Sequence, residues 1–127
     1  MLIETSARLH DIEKIGIPDK ILKESGIPLP SEMAVMCTHS QKGAELIAKY
    51  KDFSRGAMMI MPHHERWDGN GYPSGLQDCA IPFGARLISM VDSFDATISD
   101  RPYRKALSTN RAIKILMEGR GTFGQQK

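Results

Sequence analysis

The chain has 127 residues, 41% hydrophobic and 25% charged, the composition of an ordinary folded domain with one modest core. Its 17 basic and 15 acidic side chains leave a net charge of +2, which excludes a strongly cationic surface for a nucleic-acid polymer. No apolar run approaches the ~20 residues that span a bilayer, the first ten residues form no secretory signal, and Cys37 and Cys79 form no CxxC pair, so a reducing, cytoplasmic setting is expected.

Apolar residues at Ile3, Ala7 and Ile12 predict a first helix over residues 3–12, broken by Gly16 and Pro18. Pro18 to Glu24 has room for one or two turns before Gly26. Pro28 and Pro30 mark a loop, and Ser31 is the expected N-cap of a helix reaching about Lys49. Met33, Met36, Ala44, Ile47 and Ala48 keep mostly to one side of it, and His39 falls in its middle. A third helix is expected from Ser54 to His64, with the Met-Met-Ile-Met run at 58–61 read as core. The most polar stretch follows, Glu65 to Ala80, where Gly69, Gly71 and Gly75 surround Pro73 and allow turn conformations. After Pro82, Ala85, Leu87, Ile88, Val91, Phe94 and Ile98 repeat with helical period. A polar hinge over residues 99–104 ends that helix. The last helix runs roughly from Ser108 to Glu118, with Ala112, Ile113, Leu116 and Met117 on its buried side and Gly119 as its stop. Nothing alternates at period two, so the fold class is all-α.

Four histidines and a few aspartates are the residues with metal chemistry to offer. His10 precedes Asp11, His63 and His64 are adjacent, His39 stands alone, and Asp92 and Asp95 share one side of a helix. Imidazole suits zinc, manganese and iron, and a carboxylate can bridge two ions ~3.5–4 Å apart. Adjacent histidines at a helix end can reach one ion only if the backbone leaves regular helix there. Taken singly, each histidine reads as well as a hydrogen-bonded surface or core residue, each aspartate as a cap or ion-pair partner, and each arginine of the hinge as a solvated charge.

The joint pattern is more specific. His10-Asp11-Ile-Glu-Lys14, then His63-His64-Glu65-Arg66-Trp67-Asp68-Gly69-Asn70-Gly71-Tyr72-Pro73, then Asp92-Ser-Phe-Asp95 with Arg101 and Arg104, occur in that order. The chain thereby resembles the HD-GYP family of metal-dependent phosphohydrolases from about Ala7 to Gly121. The resemblance implies an HD-type helical bundle with an irregular Gly-rich loop between helices. It also implies two or three divalent ions, iron or manganese, and hydrolysis of cyclic di-GMP to the linear dinucleotide or GMP. It assigns His10, Asp11, His39, His63, His64 and Asp92 to the metals; we expect Asp11 to bridge two ions, with His39, His63 and His64 on one and His10 and Asp92 on the other. Lys14 matches a lysine that approaches the phosphate, so Lys14 and Asp11 are the catalytic candidates. Tyr72, Asp95, Arg101 and Arg104 match positions near the nucleotide. Through the Gly71-Tyr72-Pro73 loop the resemblance further implies a diguanylate-cyclase-domain partner, and it leaves a homodimer open.

Three features depart from the family pattern. Family members place further helices, carrying a Glu and a His ligand, before the HD pair, whereas nine residues precede His10 here. Glu13 stands where glycine is usual, and the family continues into another helix where this sequence ends. Residues 1–127 therefore read as one HD-GYP domain lacking its N-terminal helices and its final helix, with an apolar patch left uncovered. The rival readings are an HD-GYP module that signals through protein contacts without turnover, and a phosphohydrolase of another nucleotide.

Overall fold

A computed structural model describes residues 2–12, 14, 17–22, 29–100 and 104–119. These form α1 (Leu2–Leu9), α2 (Asp19–Leu22), α3 (Pro30–Cys37), α4 (His39–Ala48), α5 (Ser54–Ile60), α6 (Phe83–Ile98) and α7 (Thr109–Glu118), with 3-10 turns at Lys51–Phe53 and Asp78–Ala80. Among the described residues no strand forms; Asp68 and Gln77 make one isolated antiparallel bridge. No described helix is long and apolar enough to cross a membrane.

Short α5 is the hub: α1, α4 and α6 pack around it, and α7 packs on α6. The burial pattern explains why. Gly56, Ala57 and Ile60 of α5 are buried, and Gly56 and Ala57 are small enough to let neighbours approach closely. A Cβ on Gly56 would sit 2.8 Å from Ser6 Oγ of α1, so glycine sets the α1–α5 spacing. Gly84 lets α6 approach Met59 in the same way. Ile60, Ile88 and Ala85 form the centre of the core with Ile47, Ile81 and Ala112 around them. Each fully buried isoleucine contributes roughly 1.5–3 kcal/mol relative to exposure.

Four boundaries differ from the periodicity, and three of the differences position a site residue. Helix α1 stops at Leu9, so His10 and Asp11 lie in the turn beyond it rather than inside a helix ending at Ile12. The expected helix over residues 31–49 is two helices. At Thr38 the backbone N–H and side-chain Oγ1–H both donate to the Val35 carbonyl, at 3.1 and 2.7 Å, closing α3 before His39 opens α4. Its start is also earlier: Pro30 is the first helical residue, suited by its fixed φ, and Glu32 Oε2 accepts the Leu29 N–H at 2.9 Å, so Ser31 is not the cap. Helix α5 ends at Ile60, and Met61–His64 form a turn closed by His63 N–H to the Ile60 carbonyl. Met58 and Met61, 69% and 36% exposed, do not join the core expected of their run, and Ile113 and Met117 of α7 are exposed where a buried side was expected. By contrast α6 begins directly after Pro82, and the side chain of Ser108 caps α7 by accepting from Arg111 N–H.

Candidate metal centre

The helix ends converge. The turns after α1 and α5, the start of α4 and the middle of α6 bring His10, Asp11, His39, His63, His64 and Asp92 into two adjoining groups. In one, His39, His63 and His64 offer ligand atoms all within 4.8 Å of one another; in the other, His10, Asp11 and Asp92 do the same. The His10 and His63 rings, 5.4 Å apart, join the two.

Backbone carbonyls aim three of the rings. His10 Nδ1 lies 2.5 Å from the Ala7 carbonyl, His39 Nδ1 2.5 Å from that of Met36, and His63 Nδ1 bonds that of Ile60. All three carbonyls come from three residues earlier. A carbonyl only accepts, so each Nδ1 carries the proton and each Nε2 is turned to the centre. This is the arrangement in which an outer hydrogen bond fixes the tautomer of a metal-binding histidine. His64 is oriented differently: its ring stacks on Tyr72, with centroids 4.8 Å apart and planes 26° apart.

The two groups differ electrostatically. Burial pushes His63 down to about 4 and also lowers His39 and His64, with repulsion from His63 and His39 adding to the effect at His64. The triad is therefore neutral at pH 7, and Nε2 of His63, without a hydrogen-bond partner, presents its lone pair for a cation. At His10 burial also opposes charge, but the hydrogen bond to Asp92, the Asp11 carboxylate and the Ala7 carbonyl outweigh it and push the ring up to about 9. Asp92 is correspondingly held low: the His10 contacts overcome the upward push of burial. His10 Nε2 lies 3.3 Å from Asp92 Oδ1 and 3.4 Å from Asp11 Oδ1, while Lys14 Nζ lies 2.5 Å from Asp11 Oδ1. Lys14 reaches Asp11 through a tight turn, its N–H donating to the Asp11 carbonyl at 3.1 Å, not along a helix face.

The donor set fits divalent ions. His63 Nε2 is buried without a hydrogen-bond partner, and His39 Nε2 lies 2.9 Å from His64 Nε2. Neutral imidazole nitrogens converging in a buried site are matched by a borderline metal, and the mixed His/Asp group by a harder one or by iron or manganese.

The remaining candidates are spread along the rim. Tyr72 belongs to the centre through its stack on His64 and its edge contact with His39 at 6.2 Å. Asp95 is exposed on α6, one turn past Asp92. Arg104 Nη2 donates to the Ala96 carbonyl at 2.5 Å, which ties the chain to the C-terminal end of α6. Arg101 and Glu13 lie outside the described residues.

Sequence reasoning missed the support of the loop. Glu65 is 3% exposed, and its carboxylate accepts the N–H groups of Ser74 at 2.6 Å and Leu76 at 3.0 Å. Gly71 runs so close beneath it that an added Cβ would sit 2.3 Å from Arg66 N and 2.5 Å from Glu65 Cα. Arg66 and Asp68 pair in a fork at 2.9 and 2.5 Å, and Asp68 Oδ1 also accepts Asn70 N–H. The available signal was a carboxylate directly after two histidines, but its loop partners lie 9 and 11 residues away.

A family model described as HD domain matches residues 2–126. The chain is 43% identical over 122 residues to a cyclic di-GMP phosphodiesterase response regulator of Xanthomonas campestris, covering 94% of this chain and 32% of that protein. It is 41% identical over 114 residues to a cyclic di-GMP phosphodiesterase of Thermotoga maritima, covering 88% and 31%. A 3'3'-cGAMP-specific phosphodiesterase of Vibrio cholerae is 34% identical over 131 residues, covering 99% and 24%. The chain thus spans about a third of the length of the first two relatives.

Proposed function

The chain belongs to the HD domain family, and from that premise we propose that it is a metal-dependent phosphodiesterase whose substrate is cyclic di-GMP. The observation that carries this reading is the convergence of two ligand groups, with three imidazoles aimed by backbone carbonyls. His39, His63 and His64 would hold one ion, and His10 and Asp92 the other, iron or manganese in both. Asp11 is assigned the bridging role because its carboxylate sits in the His10 group, beside the ring that adjoins His63. When bound, such ions offset phosphodiester charge and lower the pKa of water to near neutrality.

The chain's own residues supply the rest. Neutral His39, His63 and His64 accept cations without first releasing protons. Lys14 neutralises Asp11 and holds a positive charge beside the centre for the phosphate oxygens, where charge grows in the transition state. Tyr72 walls one side of the triad and offers an aromatic face to the nucleotide. Asp95 and Arg101 are assigned to the nucleotide side of the site. Arg104 shares that assignment through the part of its guanidinium not engaged by Ala96.

The cyclic di-GMP relatives quoted are 41 and 43% identical and the 3'3'-cGAMP relative 34%, which favours cyclic di-GMP over the mixed dinucleotide. The test is hydrolysis by iron- or manganese-loaded protein, kept anaerobic, with both cyclic dinucleotides assayed in parallel by chromatography of the products. Linear dinucleotide or GMP from cyclic di-GMP is expected, and its absence from fully loaded protein overturns the reading. Asp11→Ala is expected to lose both metal and turnover; unchanged metal content refutes the bridge.

A further inference from the structure

Of the four histidines, His10, His39 and His63 each have a carbonyl three residues earlier holding Nδ1, whereas the ring of His64 stacks on Tyr72 and otherwise meets the triad's own rings, His63 at 3.9 Å between centroids and His39 at 2.9 Å between Nε2 atoms. Tyr72 stands on a loop, and a loop residue orients a ligand only as well as the loop itself is held. From this geometry we propose that Glu65 is the positioning residue for His64: it fixes the loop that presses Tyr72 onto the ring.

The connections are direct. The Glu65 carboxylate turns away from the metal ligands and accepts two loop amides, Ser74 N–H and Leu76 N–H, which follow Tyr72 by two and four residues. Tyr72 N–H donates to the His64 carbonyl at 3.3 Å, so the loop returns to the residue whose ring it covers. Gly71, with no side chain to hold it off the Glu65–Arg66 backbone, allows that return. Glu65 is buried, and charge-assisted bonds from backbone amides to a buried carboxylate are among the stronger ones available. Hydrogen-bonding partners of a ligand's supporting groups commonly change metal affinity ~10–100-fold when removed. Glu65 acts through Ser74, Leu76 and Tyr72. This role deepens the metal-centre reading and rests on it only where metal affinity is concerned.

The experiment uses Glu65→Gln, which keeps the size but presents an amide donor to one of the loop N–H groups, and Ser74→Pro, which deletes one donor at an exposed position and leaves the core untouched. The first readout needs no metal: the ring-current displacement of the His64 imidazole resonances, defined by its loss in Tyr72→Ala. Both variants are expected to lose it while the resonances of α4 and α6 stay in place. The second readout is Mn2+ affinity by calorimetry, expected to fall about tenfold in both variants and to fall no further when either is combined with Tyr72→Ala. Retention of the His64 displacement in Ser74→Pro overturns the proposal, as does an affinity loss that adds to that of Tyr72→Ala. If Glu65→Gln fails to fold, Ser74→Pro decides alone. A wild type that binds no Mn2+ counts against the metal centre, while the His64 resonances still decide the role of Glu65.

Discussion

Replacing His63 with leucine separates what the centre costs the fold from what it gains on loading. His63 is fully buried, with Nδ1–H satisfied and Nε2 without a partner. An unpaired buried polar atom costs about 1–3 kcal/mol, and the Nδ1–H bond lost with it is worth about 0.5–1.5 kcal/mol. The Ile60 carbonyl still receives the backbone N–H of residue 63, at 3.2 Å. Metal-free His63→Leu is therefore expected to be as stable as the wild type or up to about 2 kcal/mol more stable, a sign opposite to most core substitutions. For 127 residues the unfolding entropy at about 2.1 cal/mol/K per residue is near 270 cal/mol/K, so 1 kcal/mol moves Tm by about 4 °C. An ion at a hundredfold its Kd adds about 2.7 kcal/mol, or about 10 °C, to the wild type and little to the variant. Scanning calorimetry with chelator and then with Mn2+ reads both quantities. A metal-free variant melting about 10 °C below the wild type would refute the claim that Nε2 is a burden. A full metal-induced rise in the variant would refute the triad.

The metal-free protein is expected to be most stable near pH 6.5. His10, raised to about 9, contributes stability that is complete below its unfolded pKa of 6.5 and is lost as pH rises through 9; His63, lowered to about 4, contributes stability that is present above 6.5 and lost as pH falls toward 4. Urea midpoints measured from about pH 5 to 9 should lose the alkaline limb in His10→Gln and show a shallower acid limb in His63→Leu, where His39 and His64 still contribute; limbs unchanged by these variants contradict the assignment. Loading the His10 group at pH 7 should release about one proton and loading the triad none, measured by calorimetry in buffers of different ionisation enthalpy. Gly71→Ala forces backbone against backbone and should destabilise the protein by about 1–3 kcal/mol, with exchange protection lost at the Ser74 and Leu76 amides; intact protection there would show that the contact yields. Ile88→Ala, in the centre of the core, should cost about 2–5 kcal/mol in urea titrations, and Val91→Ala, 52% exposed on the same helix, less than about 0.5 kcal/mol.

Helices α6 and α7 were legible in extent because helical period runs through each and their ends carry recognisable residues, Pro82 and Ser108 with Gly119. Their buried faces were not: of the side expected for α7 Ala112 alone is buried, and in α6 Ser89, Ser93 and Thr97 are buried while Val91 is exposed. The break at Thr38 was not legible. Apolar spacing continues through it, while the interruption comes from hydrogen bonds of Thr38 to Val35 that leave no mark on the periodicity. The same holds after Leu9 and Ile60, where the chain leaves the helix just before the histidines. Those departures let Nδ1 of His10 and His63 reach carbonyls three residues back.

By itself the order of residues determined the all-α class, the family and the identities of the metal-site candidates, because residue type and short-range spacing are written along the chain. Tertiary structure alone decided that Asp11 groups with His10 and Asp92, which imidazoles are neutral and which is charged, and that Glu65 faces the loop. The physical reason is range. Composition and period act over a few neighbouring residues, whereas burial, charge and ring orientation depend on atoms that folding draws together from as far apart as His10 and Asp92.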